Sequence, residues 1–329
     1  MDPENKIKLS VIVLFYHGEQ WIDACIRSLQ NQSLSRDLYE IILVDNGGST
    51  PSVANYDRPP YTRILQFEKN YGFARGNNKA LKHARGEFIL LMNQDVVVHF
   101  KCLEELLGAF KGNPQAGVIA ANMLMVSSND DINRHATGDH TVGLYKLTQF
   151  GYALYSEQQL ESYLVPVKFV SGNAMCFRKS ILADVGNYLF DDRLVSYAED
   201  LDLSIRLKKS EWKMYVRPGA RVYHYRDEAF SGNPFQRLRK LIHISSNRLL
   251  VYYKNYRAKN FFKCLPALLL GIPLKVSRPD GASNLNLFNF LIAAVFVPLI
   301  FIYFILRVYH QSMTKDSMSD NAGNILSQL

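Results

Sequence analysis

The feature that most constrains the fold is an unbroken apolar run in the first third of the chain. Residues 88–92 (FILLM) contain no polar side chain, and Asn93, Gln94 and Asp95 follow before three valines. A strand without polar alternation is typical of a mostly parallel sheet that is buried on both faces. Because ligands of such sheets bind at the carboxyl ends of the strands, the run predicts a site at Asn93–Asp95. Ordinary turn formers that end a strand are the alternative.

The same apolar character recurs along the chain in alternation with helical patterns. Residues 8–15, 39–44 and 62–67 predict three more strands, and residues 21–29 and 72–84 predict helices between them. Strands that alternate with helices imply parallel pairing through right-handed crossovers. The prediction is therefore an α/β fold with a Rossmann-like, mostly parallel central sheet flanked by helices, with Asp45 at the same edge as Asp95.

The charge of the chain is unevenly distributed. The formal net charge is +8, yet residues 1–228 hold 26 Lys and Arg against 27 Asp and Glu. Residues 229–279 hold ten Lys and Arg and no acid. A near-neutral body without a nucleic-acid motif argues against nucleic-acid binding. Four cysteines lack metal-ligand spacing, and the charged first ten residues do not resemble a signal peptide, so a reduced, cytoplasmic body is expected.

A glycine-rich stretch lies between the two strand-ending carboxylates. It reads Asn70-Tyr-Gly-Phe-Ala-Arg-Gly-Asn-Asn78 and matches neither the G-x-G-x-x-G nor the Walker pattern. Gly72 and Gly76 either allow a ligand to approach the backbone or serve the loop and the start of a helix. Arg75 either pairs with a phosphate or is a solvated helix residue. The stretch is a plausible part of a nucleotide pocket.

Several motifs occur in an order that matches a known family. They are Val44-Asp45-Asn46 with Ser49, Asn70-x-Gly72-Phe73-Ala74-x-Gly76-x-Asn78, Leu90-Leu91-x-Asn93-x-Asp95, Phe169 to Arg178, Glu199-Asp200-Leu201-Asp202-Leu203, and Val222-Tyr223-His224. Together they resemble the inverting family 2 glycosyltransferases with the glycosyltransferase-A fold, and most of all the bacterial rhamnosyltransferase-type members. The resemblance implies transfer of a sugar from a nucleotide-diphosphate sugar to a hydroxyl group.

The resemblance also implies roles for individual residues. The expected donor-binding residues are Asp45, Asn46, Gly72, Arg75, Asn78, Asn93 and Gln94. The expected metal ligands for Mg²⁺ or Mn²⁺ are Asp95 and His224, and the expected catalytic residues are Asp200, as general base, and Glu199. Hard oxygen ligands suit either ion, which would offset charge on the leaving diphosphate.

Alternatives remain at several of these positions. Asn93 stands where the family motif has its first Asp, which leaves one carboxylate fewer for a metal. A lone histidine such as His224 is otherwise a structural or surface residue. Acids in the first turn of a helix are favoured by the helix dipole, so Glu199 and Asp200 could be structural. Asp202 and Arg206 are spaced for an i,i+4 ion pair and are expected to form one.

The domain organisation follows from these patterns. The resemblance implies a catalytic domain with a nucleotide-sugar-binding half, 1–98, and an acceptor-binding half, 99–228, in which residues 130–165 are expected to form an acceptor-side insert. We expect residues 229–283 to form a basic and aromatic membrane-surface region, 284–308 a transmembrane or membrane-embedded helix, and 309–329 a polar tail. The apolar stretch 284–306 has the length of a membrane span, although a core helix of a small terminal domain is the alternative.

These features predict a function at a membrane. We expect a dTDP- or UDP-sugar donor, with rhamnose as the candidate sugar, and a lipid-linked glycan acceptor. The reaction would serve cell-surface polysaccharide biosynthesis, such as that of O-antigen, on the cytoplasmic face of the inner membrane. Two rivals are a nucleotide-sugar-binding protein without catalysis and a processive polysaccharide synthase. The latter carries a Gln-x-x-Arg-Trp sequence, whereas this chain has Gln236-Arg-Leu-Arg-Lys240.

Overall fold

The computed structural model describes residues 7–47, 62–127, 132, 140–148, 151–225, 234–277 and 294–309. The chain divides into two compact units. Unit 1 comprises residues 1–147 and 153–231, and unit 2 comprises residues 148–152 and 232–329. The predicted boundary at residue 98 lies inside unit 1, and the finer division of the catalytic domain stays a prediction. Ser49, from the motif that begins at Val44, lies outside the described residues, as does His135 of the predicted acceptor-side insert.

Unit 1 contains a nine-stranded mixed sheet. Its strands are β1 (Leu9–Phe15), β2 (Tyr39–Asp45), β3 (Thr62–Gln66), β4 (Phe88–Asn93), β5 (Val96–Val98), β6 (Ala116–Val126), β9 (Val165–Pro166), β10 (Ala174–Arg178) and β11 (Lys213–Tyr225). The order is β3-β2-β1-β4-β10-β6-β11-β5, with β9 on β11. The first four strands are parallel, as predicted, whereas β10 runs antiparallel to both of its neighbours.

Helices cover both faces of this sheet. They are α1 (Glu19–Gln30), α2 (Gly72–Leu81), α3 (Cys102–Lys111), the short α4 (Ile181–Asp184) and α5 (Glu199–Lys208). Alternate residues of β1 point to opposite faces, so Val11 packs in the cluster with α1 and α3, and Ile12 packs in the cluster with α2 and α5. This two-sided burial explains why the strands lack polar alternation.

The strand register brings the predicted site residues to one edge. Phe15, at the end of β1, is paired with Asp45 on β2, and Leu14 is paired with Asn93 on β4. After β4 the chain turns through Gln94 and Asp95 into β5, which pairs antiparallel with β11. The parallel half of the sheet therefore presents its carboxyl ends where the sequence predicted a site.

The predicted acceptor-side insert contains a hairpin. Its strands are β7 (Thr141–Leu147) and β8 (Ala153–Gln159), which pair with each other and not with the main sheet. His140, which precedes β7, lies 3.8 Å from Glu161 and is largely exposed. The hairpin contributes Tyr145 to the surroundings of Phe169.

Unit 2 is helical where it is described. Its helices are α6 (Pro234–Asn255), α7 (Ala258–Ser277) and α8 (294–309). Arg248 is buried, with its guanidinium 3.8 Å from the centre of the Tyr152 ring. Among the residues that the structure describes, no helix is long and apolar enough to cross a membrane. The predicted span 284–308 lies outside the described residues up to residue 293.

Candidate active site

The loop after β2 is built on Asn46. Its side-chain Nδ2 donates to Asn70 Oδ1 at 3.1 Å and to the Gly72 carbonyl at 3.3 Å, while its Oδ1 accepts from the Tyr71 backbone N–H at 3.1 Å. Both Asn46 and Asp45 are buried at the strand end. Asn46 thus fixes the glycine-rich loop beside Asp45, which brings together two of the predicted donor-binding motifs.

Asn93 and Gln94 are held by different partners. The Asn93 backbone N–H donates to the Asn173 carbonyl at 2.9 Å, and its side-chain Nδ2 donates to Asn173 Oδ1 at 3.2 Å. Gln94 accepts from the Tyr16 N–H at 2.8 Å and donates to the Tyr16 carbonyl at 3.1 Å. Asn93 is therefore tied to the segment before β10, and Gln94 to the end of β1.

Asp95 and His224 lie side by side because β5 pairs with β11. The register sets His224 opposite Val96, and the Tyr225 N–H donates to the Asp95 carbonyl at 3.1 Å. His224 Nε2 is 3.3 Å from Asp95 Oδ2, and His224 Nδ1 is 3.4 Å from Met125 Sδ. The structure thus joins the two predicted metal ligands, which are 129 residues apart in sequence.

The donor atoms at this point fit a divalent cation. Asp95 Oδ1 and Asn93 Oδ1 are buried and have no hydrogen-bond partner, and buried His224 Nε2 has no hydrogen bond beyond its 3.3 Å ion contact with Asp95 Oδ2. Buried polar atoms are otherwise almost always paired, so the two unpaired oxygens beside this imidazole are notable. Within the described part of the chain no three His, Cys, Asp or Glu side chains form a metal-binding group. These residues offer one carboxylate, one amide oxygen and one imidazole. A six-coordinate cation held by these three ligands would have coordination positions left for phosphate oxygens.

The predicted base lies at the start of α5. Asp200 Oδ1 accepts from the Leu201 N–H at 2.8 Å, and Oδ2 accepts from the Gly172 N–H at 3.4 Å. Burial raises the pKa of Asp200 to about 6, although both hydrogen bonds favour the charged form. Burial and the charge of Asp200 raise the pKa of Glu199 well above its usual range. The pKa of Asp200 is thereby suited to proton transfer near neutral pH, whereas the charged form of Glu199 is disfavoured.

One short segment, 170–173, connects the parts of this site. Its Val170 N–H donates to Ser204 Oγ on α5 at 3.2 Å, Gly172 contacts Asp200, and Asn173 contacts Asn93. Ser171 is hydrogen-bonded to the hydroxyl of Tyr145, whose pKa is raised by burial and by the charge of Asp200. Segment 170–173 is thus shared by the base and the Asn93-x-Asp95 element.

Sequence reasoning missed Tyr145, Gly172 and Asn173 as site residues. The motif that contains Gly172 and Asn173 supported the family resemblance, but nothing in the spacing indicated that they contact Asp200 and Asn93. Tyr145 lies in the insert between motifs. Its burial follows from the hairpin, where its ring packs on Tyr155 and Phe169.

The remaining predicted donor-binding residues are grouped on α2. Asn78 is hydrogen-bonded to Phe190 and Asp192, and Arg75 lies 3.8 Å from Asp192 and over the ring of Tyr71. Gly72 has a φ of 76° and begins the helix. The i,i+4 pair is confirmed, since Arg206 donates to the fully buried Asp202 at 2.8 Å. Asp202 is structural.

The mixed sheet with helices on both faces is an α/β fold of the glycosyltransferase-A type. The family model described as glycosyl transferase family 2 matches residues 10–186. The chain therefore belongs to glycosyl transferase family 2.

Individual relatives agree with this assignment. The N-acetylglucosaminyl-diphospho-decaprenol L-rhamnosyltransferase of Mycobacterium tuberculosis is 27% identical over 218 residues, which are 60% of this chain and 70% of the relative. The mannosyltransferase PcManGT from Pyrobaculum calidifontis, solved with GDP-Man and Mn²⁺, superposes with a TM-score of 0.55 at 16% identity, over 97% of this chain and 89% of that one. The structure of Staphylococcus aureus TarS 1–349 in complex with UDP-GlcNAc superposes with a TM-score of 0.54 at 19% identity, over 84% of this chain and 78% of that one. The two structures support the fold.

Proposed function

We propose that this family member is an inverting, metal-dependent glycosyltransferase with Asp200 as its general base. The observation that carries the proposal is the sharing of segment 170–173. Gly172 N–H binds Asp200, and Asn173 binds Asn93, so a base and a diphosphate-binding element are built on adjacent residues. Direct displacement requires the acceptor hydroxyl and the donor sugar to lie close together, so the base and the diphosphate-binding element must be neighbours.

The reaction is a single displacement. An acceptor hydroxyl oxygen attacks the anomeric carbon of the donor sugar, and the bond from that carbon to the diphosphate oxygen breaks. The electron pair of that bond leaves with the nucleoside diphosphate, and the hydroxyl proton passes to the Asp200 carboxylate. Asp200 with a pKa of about 6 is ionised at neutral pH and yet basic enough to accept this proton.

Other residues of the site bind and orient. Asn93, Asp95 and His224 would hold Mg²⁺ or Mn²⁺, which when bound supplies positive charge to the leaving diphosphate. Asn46 and the loop that it fixes would form the floor of the nucleoside pocket beside Asp45. Glu199, whose pKa is raised by burial and by the charge of Asp200, would donate a hydrogen bond next to the base when it is protonated.

We further propose a dTDP- or UDP-sugar donor and a lipid-linked glycan acceptor, with rhamnose as the candidate sugar. In support, the mycobacterial relative is named for L-rhamnosyl transfer to a diphospho-decaprenol-linked sugar, and TarS was solved with UDP-GlcNAc. A role in cell-surface polysaccharide synthesis, such as that of O-antigen, would follow from such an acceptor.

We place the reaction at the cytoplasmic face of the inner membrane, with unit 2 lying on lipid. Helix α8 exposes large apolar side chains at i, i+4, i+7, i+11 and i+14, which is one helix face. They are Val295, Leu299, Ile302, Leu306 and Tyr309. Residues 229–279 add ten cations and no acid. An exposed apolar helix face in a region rich in cations is typical of a protein that lies in an anionic membrane interface.

A two-stage experiment tests the enzymatic proposal. UDP, dTDP and GDP, each with Mn²⁺ or Mg²⁺, are first screened for an increase in melting temperature, since a ligand that binds only the folded chain stabilises it. The matching nucleotide sugars are then followed by proton NMR for slow release of free sugar. We expect stabilisation by UDP or dTDP and release with inversion at the anomeric carbon. Binding without any release would instead indicate a nucleotide-sugar-binding protein without catalysis.

A further inference from the structure

The side chain of Asn78 is engaged by a distant part of the chain. Its Nδ2 donates to the Phe190 carbonyl at 2.7 Å and to Asp192 Oδ1 at 2.7 Å, and its Oδ1 accepts from the Phe190 N–H at 3.1 Å. Both amide hydrogens are therefore used within the protein. An amide so engaged is poorly placed to bind a nucleotide, which was the role expected from its motif.

The first turn of α2 is capped by the same distant segment. The Ala74 N–H donates to the Val195 carbonyl at 2.9 Å, and the Phe73 N–H donates to Ser196 Oγ at 3.2 Å. The first N–H groups of a helix have no partner within it, and here residues 195 and 196 supply the acceptors. Helix α2 and segment 190–198 thus hold each other at two places, the first turn and Asn78.

Gly72 permits this close approach. A Cβ atom at Gly72 would lie 2.6 Å from Val195 Cγ1 and 2.7 Å from the Val195 carbonyl oxygen. The φ of 76° also disfavours any side chain at this position. Gly72 therefore serves the contact between α2 and segment 190–198.

Segment 190–198 is held in a conformation that its residues do not favour. Val195, Tyr197 and Ala198 have φ values of 63°, 71° and 69°, in the left-handed region that non-glycine residues rarely adopt. Such a conformation persists only where surrounding contacts enforce it. Glu199 and Asp200 follow immediately, so the path of this segment determines where the Asp200 carboxylate lies.

We propose that Asn78 is a positioning residue that sets the location of Asp200 by holding segment 190–198 on α2. The inference rests on the proposed function, in which Asp200 is the base. Asn46, through Asn70 and Gly72, contacts the start of the same helix. Helix α2 thereby links the donor-side loop to the base.

The substitution that tests the proposal is Asn78→Asp. It keeps the acceptor for the Phe190 N–H but sets a carboxylate against Asp192 Oδ1 and the Phe190 carbonyl, so it should displace segment 190–198. A small displacement of a catalytic group can cost about a hundredfold in rate. We expect kcat for nucleotide-sugar hydrolysis to fall by about tenfold to a hundredfold, with the Kd for UDP in Mn²⁺ unchanged.

A second substitution provides the rescue. Asp192→Asn in the Asn78→Asp background restores a donor from position 192 to position 78. We expect this double variant to regain part of the lost kcat. Hydrogen exchange at residues 190–198 should quicken in Asn78→Asp and slow again in the double variant. A role of Asn78 in nucleotide binding does not predict recovery of kcat through residue 192, and an unchanged melting temperature in Asn78→Asp excludes a general loss of stability.

Three results decide the matter. Reduced kcat with unchanged UDP affinity and recovery in the double variant supports positioning. Weakened UDP binding at unchanged kcat, or exchange at 190–198 that ignores both substitutions, overturns it. The proposed function is contradicted if the wild-type chain binds UDP but hydrolyses no nucleotide sugar. If hydrogen exchange still responds as described, the contact of Asn78 with segment 190–198 is nevertheless supported.

Discussion

Asp200 meets two opposing demands through its surroundings. Burial disfavours its charged form, whereas the N–H groups of Leu201 and Gly172 favour it, and the balance raises the pKa to about 6. A carboxylate with an ordinary pKa would be a weaker base, and one buried without hydrogen bonds would stay protonated at neutral pH. For Glu199 beside it, burial and the charge of Asp200 outweigh a backbone hydrogen bond, and the pKa is raised well above its usual range.

The first prediction concerns pH. A general base acts only when it is deprotonated, so kcat/KM should rise about tenfold per pH unit below pH 6 and level off above it. Initial rates of nucleotide-sugar hydrolysis at fixed metal concentration, from pH 4.5 to pH 8, measure the profile. A flat profile across this range would mean that no group with the pKa of Asp200 takes the proton.

The second prediction concerns Asp95. Asp95→Ala should lower metal-dependent turnover by more than about a hundredfold, because even the hydrogen-bonded partners of metal ligands are typically worth 10- to 100-fold. The melting temperature should fall only slightly, since Asp95 Oδ1 has no hydrogen bond to lose and Oδ2 would lose its 3.3 Å contact with His224 Nε2. Glu161→Ala, which removes an exposed carboxylate, is the control and should stay active. Full turnover of the wild-type chain in excess chelator would refute metal dependence.

At the scale of elements, the parallel half of the sheet is tied together by Glu40, at the edge opposite the site. Glu40 on β2 accepts from Ser10 Oγ on β1 at 2.6 Å, from Arg63 on β3 at 2.7 Å and from the Arg85 N–H before β4 at 2.8 Å. Burial alone would raise the pKa of Glu40, but these hydrogen bonds and the two arginine charges outweigh it, so the pKa is lowered.

The third prediction follows from this network. Glu40→Gln should lower the free energy of unfolding at pH 7 by about 2 kcal/mol, because it leaves buried donors facing an amide. A lowered folded-state pKa contributes stability above the ordinary value of 4.5, which is lost as the pH falls through the folded-state value. Urea unfolding of both proteins should therefore show a difference that shrinks below pH 4.5. A difference in unfolding free energy that does not change with pH would mean that the ionisation of Glu40 is not its cause.

Patterns local in sequence predicted the elements but not how they meet. Apolar runs located β1 to β4, and i,i+4 spacing located the Asp202–Arg206 pair, because both depend on near neighbours. The contact of Asn93 with Asn173 depends on β10 inserting antiparallel beside β4, which no short-range pattern encodes. The hydrogen bonds of Asn78 to Phe190 and Asp192 were not predicted for the same reason, since these residues lie 112 and 114 positions away.

At the scale of the whole molecule, charge is separated between the two units. The sequence of unit 1 is close to neutral, whereas the described residues of unit 2 contain no carboxylate side chain. Arg257, Lys259 and Lys263 are exposed in and before α7. We propose that these cations and the apolar face of α8 contact lipid.

The fourth prediction tests this surface by sedimentation with vesicles. The full chain should bind vesicles that contain phosphatidylglycerol, bind pure phosphatidylcholine less, and release at high salt. Changing Arg257, Lys259 and Lys263 to Gln should weaken binding by about a hundredfold, at about 1 kcal/mol per charge. The matched control changes the exposed Lys101, Lys111 and Lys208 of unit 1 to Gln and should bind normally. Equal losses in both variants, or a wild type indifferent to lipid, would contradict the assignment.

The most direct test of the central claim compares Asp200→Asn with Glu199→Gln at saturating donor, with the Kd for UDP measured on the same samples. Removal of a general base costs about 10²- to 10⁴-fold in rate, and a base contributes little to holding the nucleotide. The account predicts a loss of that size in Asp200→Asn, unchanged UDP affinity, and a smaller loss in Glu199→Gln. An active Asp200→Asn beside an inactive Glu199→Gln would contradict it.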